Sequence, residues 1–186
     1  MKSRAELYLD HLDGLIGAEP RFNLFGPEGG PLPRITSIIY SDQPEGGLLT
    51  AFTYGLSLAE HPDWKAGAPE LVLCVESSDP AWGWAIAEVA ARLRGQCPFC
   101  LGDTINFRER IAEESAMSAF FVFFSSVLDR EAATVQLPDR MVHIVGMYPI
   151  YEGEIDLIRR VGPVAFWDLE GFDPYDVHRP DLSRVP

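Results

Sequence analysis

Apolar side chains recur at helical spacing from the start of the chain: Ala5, Tyr8, Leu12, Leu15 and Ile16 form one stripe. Ser3 and Glu6 have the spacing of a capping box, and Gly17 and Pro20 end the helix. Residues 18–33, with Gly29, Gly30, Pro31 and Pro33 in their second half, read as an irregular loop. The period then shortens. Ile35 to Tyr40, Leu48 to Tyr54 and Leu71 to Glu76 are short β-branched or aromatic runs bounded by turn residues, so each predicts a strand. Gln43-Pro44-Glu45-Gly46-Gly47 predicts a hairpin-like turn between the first two. A second helix starts behind Asp79 as cap and Pro80 in its first turn. Trp82, Ile86, Val89 and Leu93 mark its buried face, and Gly95 stops it. Of the two tryptophans at its start, Trp82 and Trp84, one belongs to the core and the other to a surface. Strands are expected at 103–107, 120–124 and 141–147, a third helix from after Pro149 to Val161, and a short one near Val164–Leu169. The tail 171–186, with Pro174, Pro180 and Pro186, reads as extended. Strands outnumber helices and several neighbours are joined by short turns, which predicts an α+β fold. Its central mixed, largely antiparallel sheet is covered by helices.

Length and charge narrow the partners. At 186 residues and 47% hydrophobic, the chain is expected to fold as one domain, 1–186, without a disulfide or metal staple. The N-terminal Met1-Lys2-Ser3-Arg4-Ala5-Glu6 has no apolar core of a signal peptide, and Ala116 to Val127 is too short to span a bilayer. Three cysteines, Cys74, Cys97 and Cys100, make no disulfide framework and suit a reducing cytoplasm. The balance of 15 basic and 28 acidic residues gives a formal charge of −13, spread along the chain rather than gathered in a tail. Such a field repels phosphate backbones and membrane headgroups of like sign, so neither nucleic acid nor a membrane is expected, and it attracts basic proteins.

Three motifs invite chemistry. Cys97-Pro98-Phe99-Cys100 has the CxxC form, but it follows the end of a helix instead of opening one, which removes the dipole that activates a redox thiol. As a zinc half-site it lacks a second pair, and Cys74 and His143 would have to converge on it. Gly55-Leu56-Ser57-Leu58-Ala59 approximates a nucleophile elbow, with Pro62 leaving little room for the helix that should follow. Glu152, Glu154 and Asp156 could face a cation, or simply favour a helix N-terminus. Trp64, in a Pro/Gly-rich loop, either anchors a partner or pins that loop to the domain. A small hydrolase or metal-dependent enzyme using Ser57, or Cys97 and Cys100, with a histidine is therefore the alternative to a binding protein.

Five segments in order carry a resemblance. They are Thr53-Tyr54-Gly55-Leu56-Ser57; Pro69-Glu70-Leu71-Val72-Leu73 with Trp82 opening the next helix; Phe99-Cys100-Leu101-Gly102-Asp103-Thr104-Ile105; Met141 to Glu154; and Asp176 to Pro180 with Arg179. Together, over about residues 34–182, they resemble the suppressor of fused domain. The resemblance implies a mixed α/β sandwich that binds protein, has no enzymatic activity and needs no cofactor or metal. In eukaryotic relatives a short peptide of a transcription factor is held as an added strand between this domain and a second one, for which this chain has no room. Bacterial single-domain relatives look like immunity proteins that neutralise toxins. On this resemblance Asp103 is expected near a recognised peptide, with Tyr54, Glu154 and Arg179 in the matched segments and Trp64 as a further anchor. The expected partner is a basic toxin domain or peptide strand.

Overall fold

The structure, a computed structural model, describes residues 2–184, so Met1 and the last two residues of the tail lie outside it. Helix α1 (Arg4–Ile16) is closed at its start by the expected capping box. The Ser3 hydroxyl accepts from the Glu6 amide while the Glu6 carboxylate accepts from the Ser3 amide, and Gly17 ends the helix in the left-handed conformation. Strands β1 (Arg21–Phe25), β2 (Ile35–Ser41), β3 (Leu48–Tyr54) and β4 (Ala68–Glu76) follow. Helix α2 (Ala81–Leu93) comes next, then β5 (Thr104–Asn106), β6 (Ala119–Phe123), β7 (Thr134–Gln136) and β8 (Met141–Ile150). Helices α3 (Glu152–Val161) and α4 (Pro163–Trp167) complete the set, with short 3-10 turns at Leu56–Leu58 and Leu182–Arg184.

All eight strands form one sheet in the order β1-β2-β3-β4-β8-β6-β5, with β7 beside the first half of β8. Every pair is antiparallel except β4 with β8. This is the mixed, largely antiparallel sheet of an α+β fold. Alternation sorts the side chains into two layers. Ile35, Ile39, Leu71, Leu73, Val122 and Met147 meet Trp82, Ile86 and Val89 of α2 on one face. On the other face, Tyr8 and Leu12 of α1 cover Ile38, Phe52 and Val142, while Ile155, Ile158 and Phe166 of α3 and α4 cover Phe121, Tyr148 and Ile150. Trp82 is wholly buried and Trp84 is 39% exposed, dividing core from surface as their spacing predicts.

Four departures from the sequence reading have a tertiary reason. Residues 21–25, read as loop, form β1, because pairing with β2 supplies a ladder that the local sequence Arg21-Phe22-Asn23-Leu24-Phe25 does not advertise. Strand β7 is three residues long and is held only by β8, too short to show a period. Strand β8 runs through Pro149 to Ile150. Its even-numbered residues face β6 and β7, as the bonds from the Ile144 amide to Ala133 and from the Ser118 amide to Ile150 show, so the donor that Pro149 lacks would point to the side β4 has already left. The described part of the tail is turned rather than extended, ending in the 3-10 turn.

Helix α2 comes close against the sheet at Gly83. A Cβ there would lie 2.8 Å from the Ala51 Cβ and 2.9 Å from the Ile39 side chain. The Ser37 hydroxyl also donates to the Gly83 carbonyl at 2.8 Å. Gly83→Ala gains about 1 kcal/mol of helix propensity and costs about 1–3 kcal/mol of overpacking. Thermal denaturation should show the variant less stable, against the direction propensity alone predicts.

Candidate functional site

The Gly55 segment is built around a buried carboxylate. Glu70 sits in β4 with no exposed surface, in a strand whose other residues up to Val75 are also buried. Its Oε1 accepts from the Gly55 amide at 2.8 Å, the Ser57 amide at 3.0 Å and the Ser57 hydroxyl at 2.6 Å, and its Oε2 accepts from the Thr53 hydroxyl at 2.7 Å. Gly55 takes φ 118°, a conformation that only glycine adopts readily. The Ser57 oxygen in turn accepts from Arg4 of α1 at 2.8 Å, and Arg4 also reaches Asp139 and the ring of Tyr54. Ser57 is therefore enclosed between a carboxylate and a guanidinium, with no exposed surface and a 3-10 turn where a nucleophile elbow needs a helix. Burial pushes the Glu70 carboxyl above the usual carboxylate range, and the hydroxyl and amide donors pull it back in part.

Glu154 and Arg179, expected at a binding face, are instead buried against one another. Two guanidinium nitrogens of Arg179 donate to the two oxygens of Glu154 at 2.6 and 2.8 Å. The amides of Leu182 and Tyr151 add bonds at 2.9 Å each, and the Arg179 guanidinium lies 4.9 Å from the Phe172 ring centre. The pair caps α3 and fastens the C-terminal segment, so neither side chain reaches a partner while the fold is intact. Tyr54 is half-buried against Tyr8 and Arg4. Trp64 is half-buried, its indole N–H donating to the Pro98 carbonyl at 2.8 Å, so it pins its loop to the CxxC segment. Burial raises the pKa of both Cys97 and Cys100, the opposite of an activated thiol. Among the described residues no three His, Cys, Asp or Glu side chains converge as a metal-holding group.

Asp103 lies where a partner could meet it. Its Oδ2 accepts from the Cys100 amide at 2.8 Å and closes the turn that leads into β5. Its carbonyl accepts from Val122, and the Phe107 amide donates to Ser118. The odd-numbered residues therefore bond to β6. Thr104 and Asn106 turn their backbone N–H and C=O groups outward, along the last strand of the sheet. Sequence reasoning gave Glu70 no role; the available signal was a single acid in the otherwise apolar stretch from Ala68 to Val75.

An eight-stranded mixed sheet with helices on both faces defines an α+β fold. Comparison identifies which. The family model for the suppressor of fused protein (SUFU) matches residues 32–181, and the chain belongs to that family. Among solved structures, a putative suppressor of fused homolog from Neisseria gonorrhoeae superposes with a TM-score of 0.70 at 18% identity, covering 95% of this chain and 94% of that one. The Sufu–Fu complex structure gives 0.67 at 15% identity, over 96% and 91%. Drosophila Suppressor of Fused gives 0.67 at 15% identity, over 96% of this chain and 51% of that one. Comparison with curated proteins by sequence finds no match. No helix among the described residues is long and apolar enough to cross a membrane.

Two measurements test these buried groups. Arg179→Met, which strands Glu154, should cost about 3–5 kcal/mol in denaturant unfolding, and adding Glu154→Gln should recover part of it. Glu70→Ala, which orphans four donors, should cost about 3 kcal/mol or more, and Glu70→Gln less. Because the folded pKa of Glu70 is raised, its contribution to stability is complete below the usual carboxylate pKa and is lost as pH rises through the raised value. The stability of Glu70→Gln should not fall across that interval, where the wild type does.

Proposed function

We propose that this chain is a non-enzymatic module that binds one basic protein partner in the cytoplasm, in the manner of an immunity protein neutralising a basic toxin domain. The observation that carries the reading is the open edge of β5. Thr104 and Asn106 present unpaired main-chain groups, with the Asp103 carboxylate at the head of the strand. An added strand from a partner satisfies such groups while a nearby acid selects a cationic side chain. The net charge of −13 favours encounter with a basic surface and sets the rate more than the affinity. One structural relative is described in a complex with Fu, so the same sheet architecture serves protein recognition elsewhere. The carboxylates that could do acid–base work, Glu70 and Glu154, are committed to holding the fold.

The test is affinity capture of the tagged chain from its host lysate at moderate salt, beside Asp103→Lys and Thr104→Pro. The first reverses the charge and the second removes one outward N–H without touching a β5–β6 bond. A basic protein retained by the wild type and lost by both variants is the expected result, with an association rate that falls as salt rises. Equal retention by all three proteins, or a rate indifferent to salt, would overturn it.

A further inference from the structure

Helix α2 packs chiefly over β1, β2, β3 and β4. Beyond its end at Leu93 an open groove of about 1340 Å³ lies on the same face of the sheet. Its floor is Pro69 at the start of β4 and Val145 of β8, neighbouring strands of the one parallel pair. One wall joins the Trp64 loop to Pro98–Leu101, locked by the indole bond to the Pro98 carbonyl. The other wall runs from Phe124 to Thr134. It is held by the Tyr148 hydroxyl donating to the Phe124 carbonyl at 2.6 Å, by Ser125 accepting from the Val127 and Leu128 amides, and by Asp129 accepting from Ala132. Both walls are thus fixed by internal bonds before anything enters, so little ordering cost remains for binding.

The groove exposes large apolar side chains where a domain of this size would otherwise bury them. Phe124 is 64% exposed and Leu101 is 43% exposed. Around them stand Asp63, Asp129 and Glu131 against the single arginine Arg130. Apolar anchors ringed by acids fit a cationic segment and repel a second copy of this chain, which carries −13 itself. We propose that this groove is a docking site for an extended segment of a basic protein, with a bulky apolar side chain seated against Phe124, Leu101 and Trp64 and flanking Lys or Arg paired with the acids of the rim. The inference rests on the reading of the chain as a binder of a basic partner. It adds a recognition site on the face of the sheet, apart from the β5 edge.

The experiment pans a random peptide library on phage against the full chain and measures enriched peptides on purified protein. The variants are Phe124→Ser, the double variant Asp63→Lys/Glu131→Lys, whose side chains hold neither wall, and Thr104→Pro. All substituted side chains of the groove variants lie at the surface or rim, and their melting temperatures are measured beside the wild type so that a folding defect is told apart from lost binding. Enriched sequences should place an aromatic or branched apolar residue beside Lys or Arg. Their affinity should drop at least about tenfold on Phe124→Ser and on the double variant, and hold on Thr104→Pro. Peptides that bind Phe124→Ser as tightly as the wild type, or no enrichment at all, overturn the groove. Binding lost only on Thr104→Pro does so too, while supporting the β5 edge. A dimer in sedimentation that Phe124→Ser dissolves would assign the groove to a second copy and equally overturn the proposal.

Discussion

One buried carboxylate organises half of the molecule. Glu70 stands in the middle of the sheet with no route to water, and a charge there is tolerable only because four donors converge on it. Those donors belong to the end of β3 and the turn after it, so the carboxylate dictates how the chain leaves the sheet and why Gly55 must take a positive φ. Ser57 passes the connection on to Arg4, and through it to α1 and Asp139. The first helix, which also rests on Tyr8, Leu12 and the half-buried apolar side chains beside them and on the contact of His11 with the Ala132 carbonyl, is thereby tied to the centre of the sheet. The cost of burying the carboxyl is visible in its raised pKa; the return is a single geometry for three separate stretches of chain.

Glu154 and Arg179 repeat the device at the other end. The carboxylate caps α3 from inside the helix and holds the guanidinium in two parallel bonds, with Phe172 beneath it. A buried ion pair contributes little net stability over an apolar pair of the same shape, so its value lies in specifying where the C-terminal segment docks. That docking closes the third apolar cluster through Leu182. Between the two devices lies the stretch from Cys97 to Asn106, which has no such anchor in the core. It is held by a turn closed on Asp103 and by the Trp64 bond, and it borders both the β5 edge and the apolar groove. Glu70, Ser57, Glu154 and Arg179, the polar side chains that look most chemically capable along the chain, are all spent on holding the fold together.

Much of this was legible along the chain. The helices α1 and α2, the hairpin of β2 and β3, and the assignment of Trp82 to the core all follow from period, caps and turn residues, which act within a few positions. The ordered segments from Thr53 to Arg179 pointed to the family. Strand β1 and strand β7 did not show, because each exists only where a neighbour offers hydrogen bonds. The pairing of Glu154 did not show for a related reason: an acid at a helix start looks the same in sequence whether it faces water or an arginine 25 residues away.

The sequence by itself determined the α+β class, the acidic character and the order of elements, since these depend on local periodicity and composition. Only the tertiary structure decided that β4 and β8 run parallel at the centre of the sheet and that β5 lies at an open edge. It also decided which acids are buried and which line a groove. Burial and strand neighbourhood are set by contacts between residues far apart in the chain, and a desolvated carboxylate differs from a solvated one only in what surrounds it.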